Sequence, residues 1–147
     1  MRILITHSQA PLNILLLEDD DGDARALQRA FQKAGIENTI IRAVDGIEAL
    51  DMLRGTNGKA KIMLPYLLLV DLNMPRMNGI QFIKALREDE ELHPSIVFVL
   101  TTSKSDEDRV AAYHFNVAGY ITKDKVAQDF LSLVTLVGIY ERNVEFP

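Results

Sequence analysis

The sequence predicts a doubly wound α/β domain, a five-stranded parallel sheet with helices on both faces. Three observations predict it. Short apolar runs end abruptly in polar residues at Asn13–Leu17, Leu67–Val70 and Ser95–Leu100. Such runs suit strands buried on both faces of a parallel sheet. Between them lie stretches with apolar residues at helical spacing, and the two patterns alternate five times over 147 residues, the length of one domain with one core.

The elements follow in order. Met1–Pro11 reads as a short N-terminal arm. It has too few apolar residues for a secretory segment and no small-residue cleavage site. Asn13–Leu17 is strand one, and it runs into Glu18, Asp19, Asp20 and Asp21. Gly22 turns the chain and Asp23 is the expected N-cap of the first helix, whose inner face is Leu27, Ala30, Phe31 and Ala34, with Gly35 as its stop. Thr39–Ala43 is strand two. Asp45 and Gly46 open the second helix, with Ile47, Leu50 and Leu53 inward, and Gly55–Lys59 is a loop. Strand three runs through Leu67–Val70 into Asp71, and Pro75 and Gly79 break the chain soon after.

Ile80, Phe82, Ile83 and Leu86 then form a third helical stripe, closed by His93-Pro94. Ser95–Leu100 is strand four and delivers Thr101. Ser105 or Asp106 is the expected cap of a fourth helix reaching about His114. Gly119–Thr122 is strand five and delivers Lys123. Val126–Tyr140 is the last helix and Glu141–Pro147 the tail. The domain division is therefore 1–11 arm, 12–137 core domain and 138–147 tail, a tail apolar enough at Val144 and Phe146 for a contact.

Composition narrows the function. A net charge of −5 disfavours a nucleic-acid binder, which needs a basic face. The absence of cysteine excludes disulfide, thiolate-metal and cysteine-nucleophile chemistry. No apolar run approaches the ~20 residues of a membrane span. The expectation is a cytoplasmic protein that binds neither membrane nor nucleic acid.

In a parallel sheet all carboxyl ends lie on one side, where open α/β sheets place their chemistry. That edge collects Glu18 and Asp19 from strand one, Asp71 from strand three, Thr101 from strand four and Lys123 from strand five. Two unit charges 4 Å apart repel by about 4 kcal/mol at an effective dielectric of 20. Either a carboxyl pKa rises or a cation fills the gap. With oxygen ligands only, a hard ion such as Mg²⁺ suits the set better than zinc, with Mn²⁺ as an alternative. Acids, an ammonium and a hydroxyl around such an ion make a site for phosphoryl transfer, and Asp71 is the candidate nucleophile for an aspartyl phosphate.

The bland readings of other residues are these. Asp20, Asp21 and Asp23 are solvated turn and cap residues, and Asp106–Arg109 is a solvated first helical turn that suits the helix dipole. His7, His93 and His114 have no partners in the pattern. Gly55–Lys59 is a plain loop, because the spacing of a phosphate loop is missing. Met74–Met77 is a structural turn. Tyr120 is equally well a packing residue of an edge strand.

Four segments carry a resemblance: Ile14-Leu-Leu-Leu-Glu-Asp-Asp, Asp71-Leu-Asn-Met-Pro-Arg-Met-Asn-Gly79, Leu100-Thr-Thr-Ser and Tyr120-Ile-Thr-Lys123. In that order and spacing the chain resembles the receiver domain of two-component response regulators. The resemblance implies a CheY-like sheet of order 2-1-3-4-5. It implies that Asp71 accepts a phosphoryl group from a phosphohistidine of a sensor histidine kinase. Glu18 and Asp19 match the acidic pair that holds Mg²⁺ with Asp71, and the backbone carbonyl of Asn73 is a further ligand. Thr101 matches the switch hydroxyl, Lys123 the lysine that pairs with the phosphate, and Tyr120 the aromatic whose orientation follows phosphorylation.

Two departures stand out. The acidic pair is Glu-Asp rather than Asp-Asp, and Asp124 replaces the proline that usually follows the lysine in a cis bond. Cis without proline costs about 2.5–4 kcal/mol, so a trans bond is expected here. Within the family, the Glu-Asp-Asp-x-Gly-Asp-Ala-Arg start and the tail resemble the stand-alone receivers of bacterial phytochrome kinases. That implies a phytochrome-linked kinase and a homodimer through the last strand, last helix and tail. The module would catalyse only its own phosphorylation and dephosphorylation. Two other readings compete. A phosphatase of the haloacid-dehalogenase type needs an acid two residues after the nucleophile, where this chain has the amide Asn73. A receiver-like scaffold that is never phosphorylated would not need the complete acid, threonine and lysine set.

Overall fold

The computed structural model describes residues 6, 7, 10–102, 104–111, 113–130 and 132. Thr6–His7 (β1) and Ala10–Pro11 (β2) pair antiparallel, so the expected arm carries strand pairing of its own. The main sheet holds Asn13–Leu17 (β3), Ile40–Ala43 (β4), Tyr66–Asp71 (β5), Ile96–Thr101 (β6) and Gly119–Thr122 (β7). All neighbours are parallel and the order is β4-β3-β5-β6-β7. Counted along this sheet, that is the expected 2-1-3-4-5.

Alternation along each strand feeds two cores. Leu15, Leu17, Leu68, Val70, Val97 and Val99 face one side, against Leu50 and Leu53 of Gly46–Arg54 (α2) and Phe82, Ile83 and Leu86 of Gly79–Glu88 (α3). Ile14, Leu16, Leu67, Leu69 and Leu100 face the other, against Leu27 and Phe31 of Asp21–Lys33 (α1) and against Phe130. The Phe31 and Phe130 rings meet there with centroids 4.7 Å apart. Each fully buried leucine in these layers contributes about 1.5–3 kcal/mol by burial. A polar β3 or β5 would be intolerable, because helices cover both faces.

Helix starts differ from the expectation in two places. The N-cap of α1 is Asp20, whose Oδ2 accepts from the Asp23 N–H at 2.7 Å. Asp23 is therefore inside the helix. Several aspartates in succession offered the same cap chemistry, and Asp20 is the one with the extended backbone of a cap (φ −83°, ψ 118°). The fourth helix, Lys104–Ala111 (α4), begins ahead of Ser105 and Asp106. Asp106 is not solvated either: it is buried, and its Oδ2 accepts from the backbone N–H and hydroxyl of Thr102 at 3.1 and 3.3 Å. It ties the start of α4 back to the end of β6.

The chain after β7 makes a 3₁₀ turn, Lys123–Lys125, and 126–130 are helical. The remainder of the expected last helix, the tail 138–147 and the contact they were to make lie outside the described residues. Among the described residues the only cis peptide bond is Leu64–Pro65, so Lys123–Asp124 is trans as expected. No helix there is long and apolar enough to cross a membrane.

Candidate functional site

Apolar strands aim their polar terminal residues at one edge. Leu17 of β3 hydrogen-bonds beside Val70 of β5, so Glu18 and Asp71 leave neighbouring strands at the same level. Thr101, the last residue of β6, follows Leu100, which pairs with Asp71. Glu18, Asp71 and Thr101 are buried; Asp19 is exposed. Glu18, Asp19 and Asp71 each offer a carboxylate oxygen, and these atoms all lie within 4.8 Å of one another.

Lys123 comes from the far side of the edge. Its Nζ lies 2.8 Å from Glu18 Oε1, 3.1 Å from Asp23 Oδ2 and 3.2 Å from Asp71 Oδ2. Burial lowers the ammonium's pKa. The bonds to Glu18 and Asp23 and the charges of Asp71 and Glu18 outweigh burial and hold it well above the ordinary lysine range. On the acidic side, burial and the neighbouring Asp71 push the Glu18 carboxyl up to about 7, against the pull of Lys123. One ammonium does not neutralise this edge. Low-dielectric surroundings and crowded oxygens select for a further cation, and an all-oxygen donor set fits a hard divalent ion.

The loop after Asp71 is held by backbone fit. A β-carbon at Gly79 would collide with the Asp71 carbonyl, so α3 passes the strand end only as glycine. Asn78 caps α3 in a reciprocal box with Gln81, at 2.9 and 3.0 Å. The Asn73 N–H reaches Asp71 Oδ1 at 3.3 Å, which leaves the Asn73 carbonyl unspent by that contact. Tyr120 of β7 directs its hydroxyl at the Glu107 carbonyl at 3.4 Å, a long contact between the last strand and α4. The structure thus brings Glu18, Asp19, Asp71 and Lys123 together, sets Thr101 and Asn73 at adjoining strand ends, and turns Tyr120 toward α4.

Three features were not found from the sequence. Arg42 of β4 clamps the acidic loop, donating to the carbonyls of Glu18 (2.8 Å) and Asp19 (3.0 Å) and pairing with Asp21 (2.7 Å). That pairing and its hydrogen bond hold the Asp21 carboxyl below the usual carboxylate range. A lone arginine in a β-branched strand was the available signal. Arg76, at φ 59°, donates from Nε to the buried Asp45 at 2.6 Å and so ties the loop carrying Asn73 to the cap of α2. Asp23 pairs with a lysine 100 residues away, and nothing in its local sequence announces that.

Comparison with known proteins agrees with this geometry. The family model for the response regulator receiver domain matches residues 14–135. The response regulator Rcp1 of Synechocystis sp. is 32% identical over 127 residues, covering 86% of each chain. The Mn(2+)-bound form of an Rcp1 superposes with a TM-score of 0.65 at 28% identity, over 92% of this chain and 98% of that one. A two-component response regulator from Legionella pneumophila is similar at a TM-score of 0.72 and 36% identity, over 85% of this chain and 98% of that one. The bacteriophytochrome response regulator AtBRR is similar at 0.77 and 28%, over 86% and 92%. The chain belongs to the response regulator receiver domain family.

Proposed function

We propose that this protein is a phospho-accepting signalling module in which Asp71 takes a phosphoryl group from the phosphohistidine of a sensor histidine kinase. One observation carries the reading: the Glu18, Asp19 and Asp71 oxygens within 4.8 Å of one another, with the Lys123 ammonium 2.8 Å from Glu18 and 3.2 Å from Asp71. Receiver domains bind a divalent metal and work with histidine kinases. In this chain Glu18, Asp19, Asp71 and the Asn73 carbonyl would hold the ion, Mg²⁺ by preference for hard oxygen ligands. Bound, it would neutralise charge on the acids and on the transferring phosphoryl group.

The side chains do the rest. An Asp71 carboxylate oxygen attacks phosphorus, the O–P bond forms, and the N–P bond breaks with its electron pair returning to the imidazole. Lys123 and the Thr101 hydroxyl bind phosphoryl oxygens. Moving Thr101 toward the phosphoryl group would pull on the β6–α4 connection, which Asp106 fastens to Thr102, and Tyr120 would follow. The changed surface is the signal, and no other substrate is turned over. Asn73, an amide two residues past Asp71, offers no proton for phosphatase turnover.

The likeness to the bacteriophytochrome response regulator AtBRR favours a phytochrome-linked kinase as donor. The division into arm (1–11), receiver (12–137) and tail (138–147), a homodimer through the last strand, last helix and tail, and a cytoplasmic location belong to the same proposal. The test is intact mass after incubation with acetyl phosphate and Mg²⁺. The expected result is a gain of one phosphoryl group that is lost with a chelator and in Asp71→Asn. No gain, or a gain that survives Asp71→Asn, contradicts the proposal.

A further inference from the structure

We propose that Asp23 is the positioning residue for Lys123, keeping its ammonium beside Asp71 once the site acids are engaged elsewhere. This rests on reading Asp71 as the phosphoryl acceptor. An ammonium has three N–H donors. Here all are directed at carboxylates, those of Glu18, Asp23 and Asp71 at 2.8, 3.1 and 3.2 Å. These partners are not equivalent. Glu18 and Asp71 belong to the cluster whose oxygens converge for a cation, and Asp23 does not. A metal would draw on the first two, and phosphorylation turns the Asp71 carboxylate into an acyl phosphate. Asp23 lies outside that cluster and stays available to pair with Lys123 when the other two are engaged.

The position of Asp23 is set independently of Lys123. Its own N–H is bonded to the Asp20 cap at 2.7 Å, which fixes the first turn of α1 at the edge of the site. Lys123, by contrast, opens a short 3₁₀ turn and is followed by a trans bond to the exposed Asp124. Lysine's long side chain has much rotamer freedom to lose. A second, metal-independent anchor reduces what must be lost when a phosphoryl group arrives. Both residues line a cleft of about 430 Å³ between α1 and the 3₁₀ turn, which Glu18 and Leu100 also line.

The experiment compares full-length wild type, Asp23→Asn and Asp23→Glu. Lys123 reactivity toward an amine-acetylating ester is measured in the Mg²⁺-loaded, unphosphorylated protein by peptide mass. Phosphorylation by acetyl phosphate is measured over a range of donor concentrations. In Asp23→Asn, Lys123 labelling is expected to rise several-fold while other lysines stay constant. The saturated phosphorylation rate falls several-fold, the half-saturating donor concentration barely moves, and Asp23→Glu restores both. Unchanged labelling, a uniform rise across all lysines, or faster phosphorylation in Asp23→Asn overturns the inference; the last would make Asp23 a competitor for Lys123. If the wild type gains no phosphoryl group, the acceptor reading fails, and the labelling still decides whether Asp23 anchors Lys123.

Discussion

Arg87 and Lys123 are partly buried cations at opposite edges of one sheet. Arg87, at the edge where strands begin, gives its donors to neutral carbonyls: His93 at 2.7 Å, Ser95 at 2.6 Å, Phe115 at 2.8 Å and Asn116 at 3.0 Å. It fastens α3 to the start of β6 and to the loop before β7. Burial lowers its pKa. Lys123, at the edge where strands end, pairs among the described residues with carboxylates: Glu18, Asp23 and Asp71. Each is satisfied by geometry. The difference is charge: the Arg87 edge is complete as it stands, while the Lys123 edge keeps more anionic oxygen than one ammonium neutralises. A cation spent on neutral acceptors is a brace. A cation outnumbered by acids belongs to a site that takes up further charge.

That contrast can be broken or sharpened by measurement. Arg87→Met should have the largest effect on stability, about 3 kcal/mol, because four carbonyls lose a charged donor together. It should leave phosphorylation per folded molecule unchanged; a stable variant with altered phosphorylation would erase the distinction between the edges. Mg²⁺ at a hundredfold its dissociation constant should stabilise the wild type by about 2.7 kcal/mol. Chemical denaturation with and without the ion checks this, and Asp19→Asn should abolish most of the gain. An equal Mg²⁺ effect in that variant would remove the acids from the metal site. Tyr66→Phe should cost about 1 kcal/mol, since it leaves the buried Ser95 hydroxyl without its 2.7 Å partner. That variant should not change the Mg²⁺ response, and if it does, the two edges are coupled through β5.

The fold was legible wherever burial alone decided it. β3 and β5 lie under helices on both faces, so Ile14–Leu17 and Leu67–Val70 had to be continuous apolar runs, and they were visible as such. The convergence of Glu18, Asp71 and Lys123 followed from parallel topology, because each sits at or directly after the carboxyl end of its strand. Local choices between equivalent groups were not legible. Asp20 and Asp23 have the same capping chemistry, and only the backbone separates them: Asp20 is extended (φ −83°, ψ 118°) and Asp23 lies inside the helix. Asp106 looked like a solvated first-turn acid until its bonds to Thr102 placed it under the start of α4. Pairings across long sequence separations leave no local trace, which is why Asp23 with Lys123 and Arg76 with Asp45 emerged only from the structure.

The central claim is that Asp71 forms an acyl phosphate. Borohydride reduction converts an aspartyl phosphate to homoserine, so treating the acetyl phosphate-labelled protein and sequencing its peptides by mass locates the bond directly. The account predicts homoserine at position 71, dependent on Mg²⁺. Homoserine at another aspartate, or none in a protein that has gained a phosphoryl group, would contradict it.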